Sequence, residues 1–101
     1  MPLAYLGSYR ARLEMPWVRS LKDKRGLVTP VIERARVRFP ASIARLAGEN
    51  ERTWEVIGAV VLGREAEWVR QVLEGVAGFV RAGGSYSVTE EAIEVEAWGE
   101  E

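Results

Sequence analysis

Residues 53–62, TWEVIGAVVL, place apolar side chains on both parities of an extended segment, with Val56, Val60 and Leu62 on one and Ile57, Ala59 and Val61 on the other. Successive strand residues point to opposite faces of a sheet, so a strand that is apolar on both must be covered above and below. This segment therefore belongs at the middle of a sheet. A chain of 101 residues is long enough for one ordinary core and too short for two. The other elements must build the sheet and its cover within one domain, residues 1–101.

Those elements follow from periodicity. Residues 5–15 alternate, with Tyr5, Gly7, Tyr9, Ala11, Leu13 and Met15 facing a core and Arg10, Arg12 and Glu14 on the wetter face; this is a strand that Pro16 ends. Ser20 followed by Asp23 resembles a capping box and starts a helix near Leu21. Its apolar stripe is Leu21, Val28, Val31, Ile32, Ala35 and Phe39, with Lys22, Arg25, Thr29 and Arg36 along one polar flank. Pro30 lacks an N–H and crowds the carbonyl of residue 26, which predicts an interruption or kink there, eased by Gly26. Residues 42–47 form a second strand, joined to the apolar strand by the polar turn 48–52. A second helix is predicted over 64–82, buried through Val69, Val72, Leu73, Val76 and Val80 and closed by Gly83 and Gly84. In residues 86–98, Ile93, Val95 and Ala97 alternate on the opposite parity from Tyr86 and Val88, which predicts a bulge near Glu90 and Glu91. The order strand, helix, strand, strand, helix, strand is the α+β ferredoxin-like arrangement, βαββαβ, a four-stranded antiparallel sheet with two helices on one face. The second and fourth strands are its edges, and the glutamates of the fourth suit an edge that must repel other strands.

Composition narrows the chemistry. The chain has no histidine and no cysteine, so it lacks the commonest general base, the commonest neutral metal ligand and any thiol. No enzyme activity, catalytic residue, cofactor or metal is expected. The first residues carry no signal-peptide pattern, and no apolar run approaches the ~20 residues of a membrane helix, so a soluble cytoplasmic protein without membrane contact is predicted. Twelve arginines against two lysines fit a GC-rich or thermophilic source. The formal net charge is −1, but residues 1–52 carry +6 and residues 53–101 carry −7. The molecule is polarised.

Both lysines fall in residues 20–27, SLKDKRGL. A helix N-terminus carries partial positive charge, so Lys22, Lys24 and Arg25 are poorly placed for helix stability. Free backbone N–H groups and three cations there read as an anion site, made for nucleic acid or a ribosomal particle, or else for a small anionic ligand. The competing reading is a charged surface partnered with the acidic half of the same molecule. Candidate nucleic-acid or anion-binding residues are Arg19, Lys22, Lys24, Arg25 and Arg36.

The segment PWVRSLKDKRGLVTPVIERARVRFPASIARL resembles the signature region of the YlxP-like family, small bacterial proteins grouped as domain of unknown function 503 (DUF503). The RSLKDKR core, the Arg-Phe end of the helix and the Ser-Ile-Ala strand carry the likeness; IGAVVLG and the terminal IEVEAW continue it over nearly the whole chain. The resemblance implies a ferredoxin-like fold and a genomic setting beside translation and ribosome maturation, with no established activity. Arg45 stands where such relatives usually carry an acidic residue, and the hairpin GENERTW departs from their common form.

Other uses of the same fold fail on residues. An acylphosphatase-like site needs a glycine-rich loop after the first strand, and MPWVRSL has none. An RNA-recognition motif needs paired aromatics on a central strand, which TWEVIGAVVL lacks. Glu90, Glu91, Glu94 and Glu96 could offer oxygens to a hard cation, but a strand does not enclose one. Trp17, Trp54, Trp68 and Trp98 are read as covers at core edges. With helices over Tyr9 and Leu13, the face bearing Leu6 stays open, which predicts a homodimer through it.

Overall fold

The computed structural model describes residues 1–101 and has the order β1 (Pro2–Glu14), α1 (Leu21–Arg38), β2 (Ser42–Ala47), β3 (Trp54–Gly63), α2 (Ala66–Ala82), β4 (Ser87–Glu100). The four strands form one antiparallel sheet in the order β2-β3-β1-β4. This is the ferredoxin-like α+β fold, with the doubly apolar β3 and the long β1 at the centre. Strands rise about 3.4 Å per residue, so the 13-residue β1 and 14-residue β4 draw the molecule out to 52 × 20 × 16 Å.

Register fixes which residues share a face. Tyr9 lies opposite Ala59 and Ile93, Ala11 opposite Ile57, and Gly7 opposite Val61 and Val95. These odd positions face the helices and pack with Val28, Val31 and Ile32 of α1 and Val69, Leu73, Val76 and Val80 of α2 in one core. Val72 is only partly buried, and Ala77 takes a fully buried place beside Val76. The even positions Leu6, Ser8, Arg10 and Arg12 share the other face with Leu62, Val60, Gly58 and Val56.

The start of α1 follows the sequence, while α2 begins at Ala66, two residues later than the pattern placed it. Ser20 is extended (φ −152°, ψ 164°), and its hydroxyl accepts from the Asp23 N–H at 3.0 Å. Contrary to the predicted interruption, α1 runs through Pro30 from residue 21 to residue 38. The stripe Val28, Val31, Ile32 and Ala35 is buried on both sides of the proline, and Gly26 is exposed, so the carbonyl that loses its partner is open to water. The predicted bulge is present: the β1–β4 register shifts between Arg10 and Arg12, and Glu90 takes φ 48° there. An edge carbonyl is also covered, because Arg36 Nε donates to Ile43 O at 3.0 Å. No helix is long and apolar enough to cross a membrane.

The tryptophans divide. Trp54 lies over Gly48, and Trp68 lies over Gly63, where an added Cβ would come within 2.8 Å of either ring. Trp17 and Trp98 leave 54% and 52% of their surface exposed, so covering the core accounts for less than half of each.

Candidate nucleic-acid interface

The five candidate cations do not form one patch. Arg19, Lys22, Arg25 and Arg36 are exposed, whereas Lys24 is fully buried. The reason is helical phase: Lys24 lies four residues before Val28 and seven before Val31, on the stripe that faces inward. Its ammonium enters the β2–β3 turn and donates to the carbonyls of Gly48 (2.5 Å), Glu51 (2.5 Å), Trp54 (3.1 Å) and Glu49 (3.3 Å). It also pairs with Glu55 Oε1 at 3.1 Å. Lys24 therefore leaves the anion-facing set and becomes the tie between α1 and the hairpin.

Glu55 has the same parity as Ile57 and Ala59, which turns its carboxylate into the helix-covered side of the sheet. Arg45, across from Ile57 on β2, reaches it with both Nε and Nη2, the latter at 2.8 Å, and donates from Nη1 to Thr29 Oγ1 at 3.2 Å. Burial alone would raise the Glu55 carboxyl; the hydrogen bonds from Arg45 and Lys24 outweigh it and hold the group below the usual carboxylate range. Arg45 is correspondingly raised by its bond to Glu55. A left-handed residue, Gly48 at φ 79°, closes the turn so that its carbonyl meets the ammonium. Two features in the sequence mark this network. A lysine sits on the apolar stripe of a helix, and a glutamate sits on the core parity of a central strand, each requiring the other.

What remains outside is two groups of cations on opposite flanks of α1: Lys22, Arg25 and Arg36 toward β2, with Arg19 in the loop before the helix, and Arg34 and Arg38 toward α2. Arg19, Lys22, Arg25, Arg34, Arg36 and Arg38 are all exposed, and none takes part in an ion pair. The opposing acids on the same segment are Asp23 and Glu33 alone. The surroundings of the two groups differ. At the N-terminal end the turn bearing Glu49 and Glu51 lies close by, as the bonds to Lys24 require. At the C-terminal end Arg38 lies 5.7 Å from the ring centre of Phe39 and 5.6 Å from that of Phe79. Sequence reasoning missed Arg34 and Arg38, although their run with Arg36 at alternate positions was in view.

The acids of β4 separate over the two faces rather than converging. Glu94 and Glu96 lie opposite Ser8 and Leu6 on the open face. Glu91 turns to the helix side, where it accepts from Tyr9 Oη at 2.7 Å and from Arg81 at 2.7 and 3.0 Å. Every buried side-chain nitrogen and oxygen has a partner.

No curated protein matches the chain at a significant level. A family model does match, described as protein of unknown function (DUF503), over residues 6–93. That span takes in most of β1, both helices, the two strands between them and the first half of β4, together with the Lys24–Glu55 tie, so the chain belongs to the DUF503 family.

Proposed function

We propose that this protein is a non-catalytic binding module for structured RNA, free or on a ribosomal particle, which it meets through the outward face of α1. One observation carries the reading: six exposed cations, Arg19 in the loop before α1 and Lys22, Arg25, Arg34, Arg36 and Arg38 on its two flanks, have no ion-pair partners. Unpaired surface arginines are suited to phosphate, whose oxygens accept from the guanidinium fork and whose counterions are released on contact. The Arg38 guanidinium beside Phe39 and Phe79 adds planar surfaces on which an unpaired base can stack. A non-catalytic role is supported by the absence of histidine and cysteine and by the use of the buried acid, Glu55, as a structural tie.

The test is binding of structured RNA and of ribosomal subunits across a salt series, using the wild type and Arg19→Ala/Lys22→Ala/Arg25→Ala. Binding should fall steeply with salt. In the triple variant it should weaken, with the slope of log K against log[salt] reduced by about 2–3, since each lost phosphate contact removes ~0.7–0.9. Wild-type binding that is absent or insensitive to salt would sink the proposal.

A further inference from the structure

The helices leave one face of the sheet bare. On it Val60, Leu62 and Leu46 are 45%, 55% and 56% exposed, around a shallow dent of about 310 Å³. The floor of the dent is Gly58, with Ser8, Ser42 and Ala44 beside it. Leu46 leans over Gly58 so closely that an added Cβ would lie 2.7 Å from its Cδ1. Val60 thus stands out two residues from a glycine that Leu46 covers.

Charge on this face is arranged with the same offset. Along β1, the level of Leu6 carries Leu62 and Glu96, and the level of Ser8 carries Val60 and Glu94. The level of Arg10 carries Gly58 and Ala92, and the level of Arg12 carries Val56 and Thr89. Glu94 and Glu96 therefore lie at one end and Arg10 and Arg12 toward the other, where Arg12 already pairs with Glu14 and Glu90 and lies over Trp54, leaving Arg10 as the arginine without an acid partner.

We propose that this face binds a second copy of the chain, about a two-fold axis that crosses the strands at right angles between the levels of Ser8 and Arg10. Such an axis lays each level on its counterpart: Val60 meets the leucine that covers the partner copy's glycine at the Arg10 level, and Leu62 meets the valine at its Arg12 level. It also sets Glu94, which has no ion-pair partner in its own chain, beside the equally unpaired arginine at the second copy's Arg10 level. One patch meeting its own copy in this way is an isologous contact, the commonest kind in soluble oligomers. From Leu6 to Glu14 the face runs about 27 Å, and four strands span about 19 Å. Two copies would cover about 1,000 Å² in total, near the lower bound for a specific interface. The proposal is independent of the RNA reading, because α1 lies on the other side of the sheet.

The test is sedimentation equilibrium of the wild type, of Arg10→Glu, of Glu94→Arg, of an equimolar mixture of those two, and of Val60→Asp. Arg10, Glu94 and Val60 are all exposed, so the folded chain should tolerate each change, as urea unfolding will check. The wild type should be a dimer, with each single reversal and Val60→Asp weakening it at least about tenfold. The mixture should restore the dimer, because one heterologous pair then joins reversed charges and the other keeps the native ones. A wild type that stays monomeric at every concentration would overturn the proposal. So would a dimer indifferent to all three substitutions, which would lie elsewhere, or two monomeric variants that fail to associate when mixed.

Discussion

Two carboxylates, Glu55 on β3 and Glu91 on β4, both face the helix side of the sheet and both accept two bonds from an arginine, Glu55 on separate oxygens and Glu91 on one, yet they are built for different depths. Glu55 has no exposed surface and is met by Lys24 and Arg45, which is itself largely covered. Glu91 keeps 22% of its side chain exposed and is met by Tyr9 from below and by Arg81, 54% exposed, from above. Burial pushes both carboxyls up, and the hydrogen bonds to each bring it below the ordinary range. What differs is the consequence of failure. Removing one partner of a buried pair strands the other charge without water, whereas an exposed partner is simply rehydrated.

Breaking the deep site gives the largest expected effect. Glu55→Ala leaves a buried ammonium and a nearly buried guanidinium facing each other, and should destabilise the fold by about 3–5 kcal/mol. In a domain of this size that is a fall in Tm of more than ~12 °C. Glu91→Ala should cost about 1 kcal/mol, since Tyr9 loses one acceptor at a partly wet site. Urea unfolding of the two variants side by side checks the contrast, and equal losses would mean that Glu55 is less isolated from water than its surroundings imply.

Lys24 comes next. Lys24→Met keeps the aliphatic stem but leaves the carbonyls of Gly48, Glu49, Glu51 and Trp54 without their shared donor. Arg45 still holds Glu55, so the loss should be smaller than for Glu55→Ala, about 2–3 kcal/mol. The damage should be local to the turn, and amide exchange at residues 48–54 should speed up more than exchange in α2. In the RNA assay this variant is a control: where it stays folded, it should bind like the wild type, because its ammonium never reaches the surface.

Acid sharpens the same comparison. A carboxyl whose folded pKa is depressed contributes stability that is present above the unfolded value, near ~4.3, and is lost as pH falls through the folded value. Both glutamates act in this direction, so wild-type stability should decline below about pH 4. Glu55→Gln, already less stable, should show a visibly shallower decline between pH 4 and 2, and Glu91→Gln a nearly unchanged one. At the other end of the scale Tyr86, pushed up to about 12 by burial, must stay neutral. Its contribution is present below the ordinary tyrosine value and is lost as pH rises from about 10 to 12, and Tyr86→Phe should lessen the alkaline loss, leaving the part due to Tyr9, which burial and Glu91 also push up.

How much of this was legible follows from what each pattern reports. Alternation and helical phase gave the element order and the bulge at Glu90, because each depends on neighbours in sequence. They also placed β3 at the centre, since a strand apolar on both faces cannot sit at an edge. The phase of Lys24 was equally visible, yet a lysine in the first turns of a helix reads as surface until its acid is found 31 residues away on another element. Glu55 alone reads as one polar residue in an apolar strand. Only the crossing of α1 over the β2–β3 turn brings them together, and that crossing is a tertiary fact. Pro30 misled for the opposite reason: a local rule about one hydrogen bond was outweighed by the stripe of buried residues on both sides.

The smallest effect is the most diagnostic of the shallow site. Arg81 donates to Glu91 from Nε and Nη2 at 3.0 and 2.7 Å, a geometry that in the interior would matter greatly. More than half of its side chain is exposed, so Arg81→Ala exchanges the bond for water and should change stability by no more than about 0.5 kcal/mol. Arg45→Ala also removes two guanidinium bonds, here one to each oxygen of Glu55, where it strips the buried carboxylate of the larger part of its compensation and leaves only Lys24, and it should cost several times more. Added salt separates the two further, since a solvent-exposed pair is screened over about 10 Å at 0.1 M and a buried one is not. The small effect of Arg81→Ala should vanish in 1 M NaCl, while that of Arg45→Ala persists. If both faded together, depth would not be what distinguishes the two carboxylates.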